Sequence, residues 1–318
     1  MLRLSIPLVL LAAVSMASSP AQDSRDYNLS VDVELVQLPV SVLDKHGFPV
    51  QGLKQEHFSV YEDKVLQDIS LFKQEDVPLS VGLVVDVSGS MTDKLSTLNT
   101  AAATFVQESN PEDETAVVSF GDDVSLDQDF TQNISELNRS LSEIRPNGGT
   151  SLYDAVVLAA KHVEENGYHE KKVLLIISDG VDNHSKYQLK QVLQTIRESK
   201  IIVYSIGLLS DDAYGYLFGE DGRKALKQLA EVTGGAAYFP RGTREVEKVC
   251  RRIAKELRNQ YTIGYKPSND KLDGSWRKTV VKVNPPKTVS TGKIRAKQGY
   301  YAPVARDAQT ASSGTTLK

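Results

Sequence analysis

Four nearly unbroken apolar runs, at Val81–Val87, Ala116–Phe120, Val173–Ile177 and Ile201–Ile206, most constrain what this chain can fold into. Strands that are apolar on both faces are those of a parallel sheet with helices covering both sides. Amphipathic helical patterns stand between the runs. One carries Leu95, Leu98, Ala102, Phe105 and Val106, another Leu152, Ala155, Val156, Ala159 and Val163, and a third Leu189, Val192, Leu193 and Ile196. Two more follow, at Ala225–Val232 and Val246–Leu257, with a short strand at Ala236–Phe239 between them. Strands alternating with helices of this length predict a doubly wound, mostly parallel α/β sheet.

The flanks carry the shorter period of half-buried strands. Val31, Val33 and Leu35 alternate with polar residues, then Leu38, Val40 and Val42 do so in the opposite phase, which a bulge between them explains. Asp44-Lys45-His46-Gly47 and Glu62-Asp63-Lys64 read as turns, and Phe58, Val60, Ile69 and Leu71 mark two further strands. Beyond Asn259, Tyr261, Ile263 and Tyr265 alternate, Asp273-Gly274 turns, and strands follow at Thr279–Val283 and Ile294–Tyr301. Neither flank is large enough to form a core alone, so the two are expected to pack together as a small β-sandwich. The expected division is a leader at 1–21, an N-terminal β segment at 22–78, the α/β unit at 79–259, a C-terminal β segment at 260–302 and a disordered tail at 303–318.

Arg3, the apolar run Leu4–Val14 and the small residues Ser18, Ser19 and Ala21 read as a secretory signal cleaved after Ala21. The run is too short to span a bilayer as a mature helix. No later segment is apolar enough to do so, and no cysteine near the cleavage point could carry a lipid. The expectation is an exported protein of the periplasm, the cell surface or the medium. Its single cysteine, Cys250, shares helical spacing with Val246, Val249, Ile253 and Leu257 and reads as a core thiol. The net charge of −4 conceals a basic region, since residues 241–300 hold 16 Lys or Arg against 5 Asp or Glu. Without a dense run, these charges read as a solvated face, and nucleic acid is not an expected partner.

Three short motifs occupy comparable places. Asp86-Val87-Ser88-Gly89-Ser90 follows the first buried strand, Gly148-Gly149-Thr150 precedes a helix, and Ser178-Asp179-Gly180 follows the Val173–Ile177 strand. In an open α/β sheet, loops at the carboxyl ends of the strands share one edge, where ligands bind. The oxygens gathered there would be the hydroxyls of Ser88, Ser90 and Thr150 and the carboxylates of Asp86 and Asp179. Such a set suits a hard cation, Mg²⁺, Mn²⁺ or Ca²⁺, rather than zinc.

Asp-x-Ser-x-Ser, a distant Thr after glycines and a distant Asp-Gly after a strand resemble the metal-ion-dependent adhesion site of von Willebrand factor A (VWA) and integrin I domains, which have a Rossmann-like sheet. The resemblance implies that Ser88 and Ser90 ligate the cation directly, Thr150 directly or through water, and Asp86 and Asp179 through waters. Neutral direct ligands leave the ion most of its charge, so an open position favours an Asp or Glu from a partner protein. The resemblance also allows a structural role in an envelope assembly, with the cation only stabilising the loops. Val77-Pro78 and Gln260-Tyr261-Thr262-Ile263-Gly264-Tyr265 look like the flanks of bacterial exported VWA-domain proteins.

The segment Leu209–Gly222 reads as a long connection at the same edge, and Tyr214, Tyr216 and Phe218 in it are candidate partner-binding residues or a local core. Enzyme chemistry is not expected. The chain has no Gly-x-Ser-x-Gly elbow, no phosphate-binding loop and no dinucleotide fingerprint, and no histidine or lysine is placed in sequence to activate Ser88 or Ser90.

Overall fold

A computed structural model describes residues 35–146, 148–208 and 213–304, with the backbone alone over 213–219. The expected leader, the alternation at Val31 and Val33 and the tail beyond Val304 lie outside the described residues. The chain runs through β1 (Val36–Leu43), β2 (Phe58–Glu62), β3 (Val65–Gln67), β4 (Ile69–Lys73) and β5 (Leu79–Asp86). A 3-10 turn at Gly89–Lys94 leads into α1 (Leu95–Gln107), β6 (Glu114–Phe120), β7 (Val124–Thr131), α2 (Ile134–Glu143) and α3 (Leu152–Asn166). Next come β8 (Lys171–Ser178), α4 (Leu189–Glu198), β9 (Ile202–Gly207), α5 (Ala213–Glu231), β10 (Ala237–Tyr238) and α6 (Thr243–Arg258). The last strands are β11 (Tyr261–Tyr265), β12 (Trp276–Val283), β13 (Lys293–Ala296) and β14 (Gly299–Tyr301).

The four apolar runs form the interior of a six-stranded sheet ordered β10-β9-β8-β5-β6-β7. It is parallel except for β7, which pairs antiparallel with β6 at one edge. All eight residues of β5 are buried, because successive side chains enter different cores. Leu83 and Val85 pack with residues of α1, α2 and α6, whereas Val84 packs with residues of α3, α4 and α5. Cys250 lies in the first of these cores, and burial pushes its thiol up to about 12, as suits a packing residue.

Chain before and after the α/β unit interleaves in two antiparallel sheets, ordered β13-β1-β11-β4 and β14-β12-β2-β3. The expected alternation in β11 is realised, with Tyr261, Ile263 and Tyr265 fully buried and β1 running antiparallel beside it from Val36 opposite Tyr265 to Val40 opposite Tyr261. A single core holds Leu38, Val40 and Ile263 of one sheet with Phe58 and Val60 of the other, so the flanks form a β-sandwich.

Three features differ from the sequence reading. β7 and α2 go unpredicted, β7 because this edge strand alternates a few apolar residues with polar ones and carries no continuous apolar run. α5 begins at Ala213, where a connection was expected. The basic region is also not wholly a solvated face. Buried Arg277 pairs with Glu62 at 3.4 Å, Arg295 with Glu256 at 2.6 Å, and Arg258 with Asp76 at 2.8 Å and with Asp113.

Candidate metal centre

Parallel pairing brings the first and last motifs together. Val85 lies opposite Ile177 in the β5–β8 ladder, so Asp86 and Ser178 end their strands side by side. The Ser178 hydroxyl donates to Asp86 Oδ2 at 2.5 Å, and the Ser88 backbone N–H donates to Asp86 Oδ1 at 2.9 Å. Asp86 therefore ties its own loop to the neighbouring strand from a fully buried position. The turn that follows brings Ser90 to Asp179 and Ser88 to Ser90. Ser88 Oγ lies 3.1 Å from Ser90 Oγ, and the Ser90 hydroxyl donates to Asp179 Oδ2 at 2.7 Å.

Thr150 joins through the backbone. The Gly89 N–H donates to the Gly148 carbonyl at 3.0 Å, which ties the serine loop to the glycine loop. Asn183, four residues beyond Asp179, accepts the Thr150 N–H at its side-chain oxygen at 2.9 Å, while the Thr150 carbonyl accepts the N–H groups of Asn183 and His184. From the end of β6, Asp122 accepts the Gly149 N–H at 2.5 Å. A Cβ at Gly148 would fall 1.8 Å from the Asp122 carboxylate, which accounts for the glycine before the threonine loop.

Gly180 closes the site from behind. Its φ of +82° is a conformation that other residues adopt only with strain, and a Cβ there would meet the Gly222 carbonyl oxygen of α5 at 2.5 Å. Gly180→Ala is expected to cost about 2 kcal/mol or more in stability from combined strain and overpacking. Chemical denaturation of the variant measures it, and a loss within error of zero would mean that the Asp179 loop moves freely away from α5.

The electrostatics are those of two neighbouring carboxylates, Asp86 and Asp179, with the Lys94 ammonium 3.8 Å from Asp179 Oδ2. Burial and, after it, the charge of Asp179 raise the Asp86 carboxyl to about 6, against the opposing hydrogen bonds from Ser178 and Ser88. Among the described residues no group of three or more His, Cys, Asp or Glu is arranged as a metal cage. The donors on offer here are instead hydroxyls backed by two carboxylates. Oxygens of this kind suit a hard divalent cation.

Asp86, Ser88, Ser90 and Asp179 thus form one hydrogen-bonded chain, with Thr150 held beside it by backbone contacts. The candidate rim residues Tyr214, Tyr216 and Phe218 belong to the first turns of α5, and their side chains lie outside the described residues. Sequence reasoning missed the supports Ser178, Asp122 and Asn183. Ser178 had a signal, a hydroxyl at a strand end beside Asp179, whereas Asp122 and Asn183 act through backbone N–H groups that no sequence spacing reveals.

Comparison with known proteins bears on the α/β unit. The family model of the von Willebrand factor type A domain matches residues 81–181. Inter-alpha-trypsin inhibitor heavy chain H2 of Mesocricetus auratus is 22% identical over 198 residues, which are 58% of this chain and 20% of that protein. The chain thus spans about a fifth of the length of the curated relatives it matches first. Among solved structures, a von Willebrand factor type A protein from Catenulispora acidiphila gives a TM-score of 0.49 at 12% identity, covering 86% of this chain and 74% of its own. The pilus adhesin SpaC from Lactobacillus rhamnosus GG gives 0.48 at 13% identity, covering 84% of this chain and 48% of its own. With the family match over residues 81–181 and helices on both faces of its mostly parallel sheet, the α/β unit has a von Willebrand factor type A-like fold.

Proposed function

We propose that this chain is an exported protein-binding module in which a divalent cation, Mg²⁺ or else Mn²⁺ or Ca²⁺, binds at Ser88, Ser90 and Thr150 with Asp86 and Asp179 behind them. The cation would offer an open coordination position to an Asp or Glu of a partner protein. The observation that carries this reading is the hydrogen-bonded run Ser88–Ser90–Asp179 beside a buried Asp86, at the carboxyl ends of β5 and β8. Neutral hydroxyls as direct ligands leave a bound cation electron-poor, and that is what makes a partner carboxylate a good additional ligand. Export rests on the leader-like residues 1–21 and is compatible with the described residues, in which no helix is long and apolar enough to cross a membrane.

Titration calorimetry with Mg²⁺ and Mn²⁺, in the presence and absence of a short acidic peptide, tests the reading. Metal binding that the peptide strengthens, and peptide binding that a chelator abolishes, are the expected results. Metal binding indifferent to the peptide would favour a cation that only stabilises the loops. Absence of metal binding would remove the cation altogether.

A further inference from the structure

Lys94 ends the 3-10 turn Gly89–Lys94 and leads into α1, so the same turn that carries Ser90 also carries a cation. Its side chain is 19% exposed, and its Nζ lies 3.8 Å from Asp179 Oδ2. That ammonium nitrogen is buried, with no hydrogen-bond partner among the described residues. A buried ammonium has three donors to satisfy, and leaving them unpaired is costly. Here it is held by attraction to the carboxylate that also accepts the Ser90 hydroxyl, at a distance too long for a hydrogen bond. Lys94 is thus a positive side chain paired with Asp179.

We propose that Lys94 is the site's built-in counter-ion: its ammonium holds Asp179 in the cation-free protein and opposes divalent metal binding there. The inference rests on reading the site as a cation site, and it adds a residue that sets how tightly the ion is held. A monovalent side chain tethered beside Asp179 offsets part of the negative charge that would draw a divalent ion. Its removal leaves both carboxylates to the metal. In the absence of metal, the same removal leaves them facing one another without compensation. Lys94 would therefore set a threshold concentration below which the loops remain in order without an ion.

The test compares wild type, Lys94→Met and Lys94→Arg for Mg²⁺ affinity by calorimetry and for melting temperature in chelator and in saturating Mg²⁺. Methionine keeps the length and apolar stem of lysine, and arginine keeps the charge. The expected result is a Mg²⁺ affinity at least about fivefold higher in Lys94→Met and little changed in Lys94→Arg. Lys94→Met should also melt lower than wild type in chelator and level with it in saturating Mg²⁺. Binding by Lys94→Met alone would support the inference in its strongest form. Equal or weaker affinity of Lys94→Met beside a wild type that binds would overturn the role of Lys94 and leave the cation site standing. Failure of all three proteins to bind Mg²⁺ would overturn both.

Discussion

Replacing Glu256 with alanine is expected to lower the stability of the protein by about 3–5 kcal/mol, the cost of stranding a buried charge. Glu256 lies on α6 with its side chain fully buried, where the α/β unit meets the sandwich. One carboxylate oxygen accepts from the Tyr204 hydroxyl of β9 at 3.0 Å. The other accepts from Arg295 of β13 at 2.6 Å and from the Tyr238 hydroxyl of β10 at 3.4 Å. Gln260 extends the cluster, donating to the Ser41 hydroxyl of β1 at 3.0 Å. Four elements of the α/β sheet layer and the sandwich therefore meet on one acidic side chain and its neighbours. Alanine at 256 would leave the Arg295 guanidinium, 12% exposed, without its counter-ion, and two phenols without their acceptor. The double variant Glu256→Met, Arg295→Met should recover most of the loss, since apolar groups of similar volume often replace a buried pair at little cost. Urea denaturation of the three proteins decides the matter. A single-variant loss below about 1 kcal/mol would mean that water or another group already serves Arg295.

Glu256 also marks where the sequence stops being informative. The sheet was legible because its four interior strands are apolar on both faces, and few folds other than a covered parallel sheet produce that pattern. That the Asp86 and Asp179 loops meet was legible for the same reason, since both stand at the ends of apolar runs and parallel strands bring such ends together. What could not be read depends on contacts between distant segments. Nothing in the spacing of α6 separates Glu256, which points into a polar joint, from Glu245, which is exposed. Lys94 reads as one more lysine in an amphipathic stretch until the turn places it over Asp179. The first half of α5 was hidden by Gly215, Gly219 and Gly222, each of which lowers helix propensity by about 1 kcal/mol relative to alanine. At Gly222 tertiary contact outweighs that cost, because a Cβ there would fall 2.7 Å from the Asp179 carbonyl oxygen.

Asp86→Asn is expected to make the metal-free protein more stable at neutral pH while removing its affinity for the cation. The folded protein raises the Asp86 carboxyl to about 6 from an ordinary value of 3.8, chiefly by burying it and secondly by placing Asp179 nearby. A carboxyl raised in this way binds its proton more tightly in the folded state than in the unfolded one. Its contribution to stability is therefore fully present below the unfolded value and is lost as pH rises through about 6. Above that window the ionised side chain costs about 3 kcal/mol. Asparagine keeps the shape and can still accept the Ser88 N–H, but carries no charge. The Ser178 hydroxyl, which now donates to Asp86 and accepts from the Gly180 N–H, must find another acceptor, and this takes back part of the gain. In chelator the variant should thus be more stable than wild type at about pH 7.5, and the difference should close towards about pH 4.5 as the wild-type carboxyl is protonated. Saturating Mg²⁺ should reverse the order at the higher pH, because a ligand that binds only the folded wild type stabilises it in proportion to the logarithm of its concentration. Melting curves at both pH values, with chelator and with Mg²⁺, contain all four comparisons. Equal stability of the two proteins in chelator at the higher pH would mean that the buried carboxylate imposes no cost and that a cation has no deficit to fill. An advantage of the variant that persists in Mg²⁺ would leave the cost in place and remove the cation as its remedy.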